Sequence, residues 1–173
     1  MPSPQKTVCP DCGVILDAVD GTTHAYLGGS TECWATFNEI LAREFQDEGY
    51  FSVHRYTTDA YTTQHPGNQS DRRAAQSVNI HLAALCALIE QKRELVFIPR
   101  LLKTLANKHK DKFKPLAPPA PQSYEITVRD VLAATNVEEH KDIVMKWAET
   151  VWRAWKPHHD TARHLVQLID QRS

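Results

Sequence analysis

Long apolar runs are missing from this chain. Nothing approaches the ~20 consecutive apolar residues that a helix needs to span a bilayer, so no membrane partner is expected. The opening segment, Met1 to Thr7, is polar and proline-rich and lacks the apolar stretch of a secretory signal, which predicts a cytoplasmic protein. Charge of one sign is not in excess either. Lys and Arg number 20 against 21 Asp and Glu, for a net charge of -1. Domains that grip a phosphate backbone carry a strong positive surplus, so nucleic acid is not an expected partner. Internal repeats are absent. Glycine is scarce at 6 residues, and Gly13, Gly21, Gly28 and Gly29 fall early, marking an irregular, turn-rich N-terminal unit. What is present is ordinary for a folded domain: 42% hydrophobic and 24% charged residues, which argues against disorder and fibrous structure.

Helical spacing begins at Cys33. Trp34, Phe37, Ile40, Leu41 and Phe45 share a face, with Ser30 as N-cap, and predict a helix ending near Gly49. A second helix is expected from about Val53 to His65, stopped by Pro66-Gly67-Asn68. A third, capped by Ser70 or Asp71, carries the stripe Ala74, Val78, Leu82, Leu85, Cys86 and Ile89. A fourth covers about Phe97 to Lys112, with Pro99 tolerated in its first turn. The proline-rich stretch from Lys114 to Gln122 reads as an extended strap across the bundle, or else as a linker or docking peptide. Thr127 to Asp130 forms a capping-box pattern opening a short helix. Asn136 caps a long one from Val137 to Lys156, and after Pro157 a last helix ends near Asp170. The fold class is therefore mainly α: a helical bundle (35–173) with a small zinc knuckle (1–34) packed on it as one compact domain.

Cys9-Pro-Asp-Cys12-Gly13 is the sharpest motif. Two cysteines two residues apart, with a glycine behind, make a knuckle that aims both sulfurs at one ion. Cys33, at the start of the first helix, is the third donor, where the helix N-terminus favours its thiolate. His24 is the expected fourth, completing a structural Cys3His zinc site; Asp11 and Asp17 are poorer ligands for such an ion. The alternative is a reduced, redox-active thiol pair, but that chemistry expects an alternating α/β context that this chain lacks. Cys86, on the apolar stripe, reads as core.

A second cluster of chemistry-bearing residues runs from His54 through Asp59 to His65. On one straight helix His54 and His65 would lie roughly 16 Å apart, so they cannot hold one ion. Counted from the turn at Pro66–Ser70, His54 and His81 fall at about the same height of a helical hairpin, which predicts that they meet, either on a second divalent ion or through ordinary hydrogen bonds. His140, Val144, Trp147, Val151, Ala154 and His158 recur at core-facing steps of four and three, with His159 beside Pro157. His54, His81, His158 and His159 are thus candidate metal ligands, Asp59 and His65 candidate catalytic groups, and Asp59, His65, His81 and at least one of His158 and His159 are expected around one polar pocket. Trp147, Trp152 and Trp155 read as core.

These residues in this order resemble an uncharacterised bacterial family, domain of unknown function 5946. The resemblance rests on Cys9-x-x-Cys12-Gly13, Ser30-x-x-Cys33-Trp34, His54, Asp59-Ala-Tyr61, Gln64-His65-Pro66, His81-Leu82, Thr127-Val128-x-Asp130-Val131, Glu139-His140, Trp152-x-Ala-Trp155 and His158-His159. It covers nearly the whole chain and implies no particular activity. A more distant likeness, of architecture alone, is to DinB-like metal-binding bundles, which hold an ion by histidines from separate helices; the His-x-x-x-His pair common there is missing here.

Two functions follow as expectations. One is a metal-dependent hydrolase or transferase acting on a small molecule, with a metal-bound water as nucleophile and Asp59 or a free histidine as base. The other is a non-catalytic, zinc-stabilised module that binds a ligand or a protein. The feature that separates them is whether His54, His81 and the His158-His159 pair converge on one cavity.

Overall fold

The computed structural model describes residues 5–171; residues 1–4 of the polar N-terminal stretch lie outside them. The chain is mainly α. A short antiparallel hairpin, β1 (Lys6–Val8) and β2 (Ile15–Asp17), pairs Thr7 with Leu16. Eight α-helices follow among the described residues: α1 (Thr31–Gln46), α2 (Glu48–Phe51), α3 (His54–Gln64), α4 (Arg72–Leu85), α5 (Phe97–Lys108), α6 (Val128–Leu132), α7 (Val137–Ala154) and α8 (His159–Asp170).

Local chemistry sets most of the boundaries. Ser30 Oγ accepts the Cys33 amide at 3.2 Å and starts α1. Asp71 caps α4 through the Arg73 amide, and Asn136 caps α7 through the Glu139 amide. Thr127 and Asp130 form the expected capping box of α6. The third expected helix, extending to about Gln91, is α-helical only to Leu85. A π-helical turn, Cys86–Glu90, continues it, and beyond its cap at Gln91 the chain turns away at Lys92, which takes a left-handed φ of 53°.

The bundle is organised around α3, which packs against both α4 and α7. This is an unusual helix for such a place, because Thr57, Asp59, Thr62, Thr63 and Gln64 are all buried on it. Buried polar groups are costly unless paired, and three of the five have polar partners on other elements. Thr57 donates to Glu44 of α1, and Asp59 accepts from His81 of α4. Gln64 receives the Trp147 indole N–H of α7 at 3.1 Å and donates to the Ile126 carbonyl at 2.8 Å. These directional bonds position α3 against its neighbours, while Tyr61, Leu82, Leu85, Leu101, Trp147, Trp155 and Leu165 fill the interior. Burying such side chains stabilises by about 1.5–3 kcal/mol each.

The proline-rich strap is anchored across the bundle. Leu116 is buried, its amide donates to Gln69 Oε1, and the Lys114 carbonyl accepts from the buried Asn79 side chain. The knuckle is tied in as well: Cys9, Cys12, Val14 and Cys33 belong to the same apolar core as the helices.

Candidate metal centre

Cys9 follows β1 and Cys12 lies in the turn before β2. The Cys9 amide donates to the Val14 carbonyl, the Gly13 amide donates to the Cys9 carbonyl, and Gly13 adopts a left-handed φ of 74°. The two sulfurs are thereby turned to one side. Cys33 enters from the first turn of α1. The fourth donor comes from the end of α3, where His65 serves as the C-cap residue.

Cys9, Cys12, Cys33 and His65 are all buried, and one donor atom from each lies within 4.8 Å of the other three. Cys33 Sγ stands 3.2 Å from His65 Nε2 and 3.9 Å from Cys12 Sγ. A tetrahedral ion with metal–sulfur bonds near 2.3 Å requires sulfurs about 3.8 Å apart, and a slightly shorter sulfur–nitrogen edge. The Cys12–Cys33 edge matches that tetrahedron, and the Cys33–His65 edge is a few tenths of an ångström shorter than it. His65 Nδ1 lies 2.7 Å from the Tyr61 carbonyl and donates to it. That bond fixes the tautomer and leaves Nε2 bare toward the sulfurs, as a ligating imidazole requires.

The electrostatics fit a cation. Burial opposes a charge on His65, yet the Cys12 and Cys9 sulfurs beside it hold its pKa up at about 10, so Nε2 favours a positive charge against it, either a proton or, in the proton's place, a metal ion. Cys9 is lowered strongly by hydrogen bonds from Cys12 and Cys33, while Cys33, sharing the same proton network with Cys12 and Cys9, is raised. So crowded a donor set stabilises positive charge at its centre. The Tyr61 hydroxyl points into the same region. It is buried without a hydrogen-bond partner, and burial followed by the nearby Cys33 raises its pKa.

The loops around the centre are closely interlocked. Asp11 accepts the Gly67 amide at 2.8 Å, and the Gly28 amide donates to the His65 carbonyl. Gly67 has a φ of 64°, and a Cβ there would lie 2.2 Å from the Tyr26 carbonyl oxygen. Only glycine fits that crossing, which seats His65 against the knuckle.

His24 is not the fourth donor. Its Nδ1 accepts the amides of Tyr26 and Leu27 at 3.3 and 3.2 Å, and its ring packs edge-on against Tyr26 and Trp34. The histidine stabilises the turn leading to α1, and His65, not His24, is the imidazole that stands with the three sulfurs. His65, expected as a catalytic group, thus stands in the donor cluster.

The expected second ion site is not formed by His54 and His81. They serve different faces of α3. His54 Nδ1 lies 2.8 Å from Glu44 Oε2 of α1, whereas His81 Nδ1 lies 2.7 Å from Asp59 Oδ1. Asp59 also receives Arg55, at 2.9 and 2.5 Å, so this expected catalytic carboxylate is a buried ion-pair acceptor. His158 and His159 are committed to backbone carbonyls, Ala117 and Trp152 respectively, each at 2.7 Å, and His159 stacks on Trp152 at 3.6 Å. The single polar pocket expected around Asp59, His65, His81 and the His158-His159 pair is therefore divided among separate places. Among the described residues, the Cys9, Cys12, Cys33 and His65 group is the one set of three or more such donors close enough to share an ion.

Another cluster was not anticipated from sequence as a unit. Glu44, fully buried, accepts from His54, from Thr57 at 2.5 Å, and from His140 Nε2 at 2.9 Å. Burial works to raise its pKa, but His140, His54 and Thr57 outweigh burial and lower it. Glu44 stands outside the apolar spacing of α1, and the approach of α3 and α7 makes it interior.

No curated protein and no solved structure matches the chain. A family model does match, over residues 7–156, a span that includes all four donors, the Glu44 cluster and the Asp59–His81 pair but stops short of His158 and His159. The chain thus belongs to the family of unknown function DUF5946.

Proposed function

We propose that this is a zinc-stapled ligand-binding module, in which the ion is structural and recognition takes place elsewhere on the bundle. The observation that carries the reading is the closed donor set. Cys9, Cys12, Cys33 and His65 are exposed by only 1%, 2%, 0% and 0%. Catalytic zinc keeps a coordination position open to water or substrate, whereas structural zinc is closed by four protein ligands. Three thiolates and one imidazole favour zinc over harder divalent ions. The staple would join three separate segments, the knuckle, the start of α1 and the end of α3, none of which is adjacent to another in the chain.

The test is metal analysis with cobalt substitution. The purified protein should carry one equivalent of zinc. The cobalt form should show the spectrum of a four-coordinate S3N site, unchanged by azide or cyanate, which bind open positions. A fully stable metal-free protein would overturn the zinc assignment. A cobalt spectrum that shifts with added anion would mean an open site and return the ion to catalysis.

A further inference from the structure

The α4 face beside the knuckle forms a cavity of about 590 Å³. Its lining includes Arg72, Arg73 and Lys110, the hydrogen-bonding side chains of Tyr26, Gln76 and Ser77, and His81, and it includes no carboxylate. In a chain of net charge -1, three cations around one cavity without an acid are a local reversal of the overall balance. Arg73 is partly neutralised by Asp71, at 2.9 Å. Arg72 and Lys110 make no ion pair among the described residues. Their charges are therefore available to a ligand.

His81 adds direction. Its Nδ1–H donates to Asp59, which is itself held by Arg55, so the imidazole is oriented from behind. Nε2 is left without a protein partner among the described residues, on a ring that lines the cavity. With Nδ1–H committed to Asp59, Nε2 is the ring nitrogen that faces a bound ligand.

A second cavity, also about 590 Å³, adjoins the first and shares Arg72, Gln76 and Lys110 with it. Ala75, Phe113 and Pro115 contribute apolar surface there, and its lining holds one carboxylate, Asp111, which pairs with Lys112 at 3.0 Å. The two cavities make a groove with a cationic end beside His81 and an apolar end beneath the start of the strap.

We infer that this groove binds a small phosphate monoester, with the phosphate on Arg72, Lys110 and His81 Nε2 and an apolar or aromatic body against Phe113 and Pro115. Guanidinium and ammonium groups match phosphate oxygens through charge-assisted hydrogen bonds, and a ligand of this shape places each end on matching surface. The inference rests on the reading of the chain as a ligand-binding module and names its ligand class. It does not depend on the metal being zinc.

Phenyl phosphate is the probe, with inorganic phosphate and phenol as separate arms, followed by calorimetry and by chemical shifts of zinc-loaded protein. Phenyl phosphate should bind more tightly than either fragment and should shift the signals of Arg72, Gln76 and His81. Arg72 and Lys110 are exposed, so the double variant Arg72→Ala, Lys110→Ala should fold normally and keep its zinc while binding phenyl phosphate about tenfold or more weakly. His81→Gln should weaken binding as well, and raised salt should weaken binding to the parent protein far more than to the double variant. No binding of phenyl phosphate, or binding that the double variant leaves unchanged, would overturn the inference. Equal affinity for inorganic phosphate would overturn its apolar half. Metal content measured on the same samples separates these outcomes from failure of the staple: loss of phosphate binding at full zinc occupancy bears on the groove alone.

Discussion

Replacing His65 by alanine tests which histidine completes the metal centre, and the structure sets the size of the effect. A structural zinc site of this kind contributes on the order of 10–16 kcal/mol of apparent binding free energy. Shared over four ligands, one ligand corresponds to about 2.5–4 kcal/mol. His65 is also completely buried, stacked on Tyr61 at 4.0 Å and bonded to the Tyr61 carbonyl. The lost packing and hydrogen bond add about 2 kcal/mol. For a chain of 173 residues each kcal/mol lowers the melting temperature by about 2–4 °C, so His65→Ala should melt more than about 10 °C below the parent. His24→Ala removes only two turn hydrogen bonds, and should cost about 1–2 kcal/mol without loss of metal. The assay is zinc release to a competing chelator, followed by absorbance, with thermal unfolding of the same samples. His65→Ala should surrender zinc readily, His24→Ala should retain it, and His65→Cys should recover much of the affinity through a fourth thiolate. Retention of zinc by His65→Ala together with its loss from His24→Ala would refute the reasoning.

Three further outcomes follow from the interior polar groups and the interlocked loops. Glu44→Gln should destabilise by about 2–4 kcal/mol, because it weakens a buried acceptor for two imidazoles and a hydroxyl, and chemical denaturation would show it. Since Glu44 is lowered below its ordinary value of 4.5 on folding, its contribution should be complete above about pH 4.5 and disappear as pH falls through the folded pKa. The parent should therefore lose stability on acidification more steeply than Glu44→Gln, and parallel slopes would refute this. Asp59→Asn leaves Arg55 and His81 without their shared carboxylate and should cost about 3 kcal/mol by the same measurement; an unchanged midpoint would remove Asp59 from the stabilising network. Gly67→Ala combines a left-handed backbone with a Cβ 2.2 Å from the Tyr26 carbonyl, so it should cost more than about 2 kcal/mol and speed zinc release, and wild-type release would count against the interlock.

Much of this protein is local in origin, and those parts could be read from the chain. Ser30, Asp71, Asn136 and the Thr127–Asp130 box act on backbone groups within a turn of themselves, so helix starts follow from neighbouring residues alone. The apolar spacings of α4 and α7 identify their inward faces for the same reason. Cys9 and Cys12 are bound into one turn, and Cys33 opens a helix, so three of the four donors were legible as ligands. The fourth was not. His24 lies between the cysteines in sequence, but His65 reaches them through the α3–α4 connection, where Gly67 crosses under Tyr26 and Asp11 holds its amide. Sequence distance carries no information about such a crossing. The same limit applies to the histidines of the bundle. Counting residues from a turn placed His54 level with His81, but it could not say that α1 would bring Glu44 to one face of α3 while Asp59 met His81 on another. Partner choice for a buried imidazole depends on which carboxylate arrives within about 3 Å, and that distance is set by helix packing, to which residues far apart in the chain contribute together.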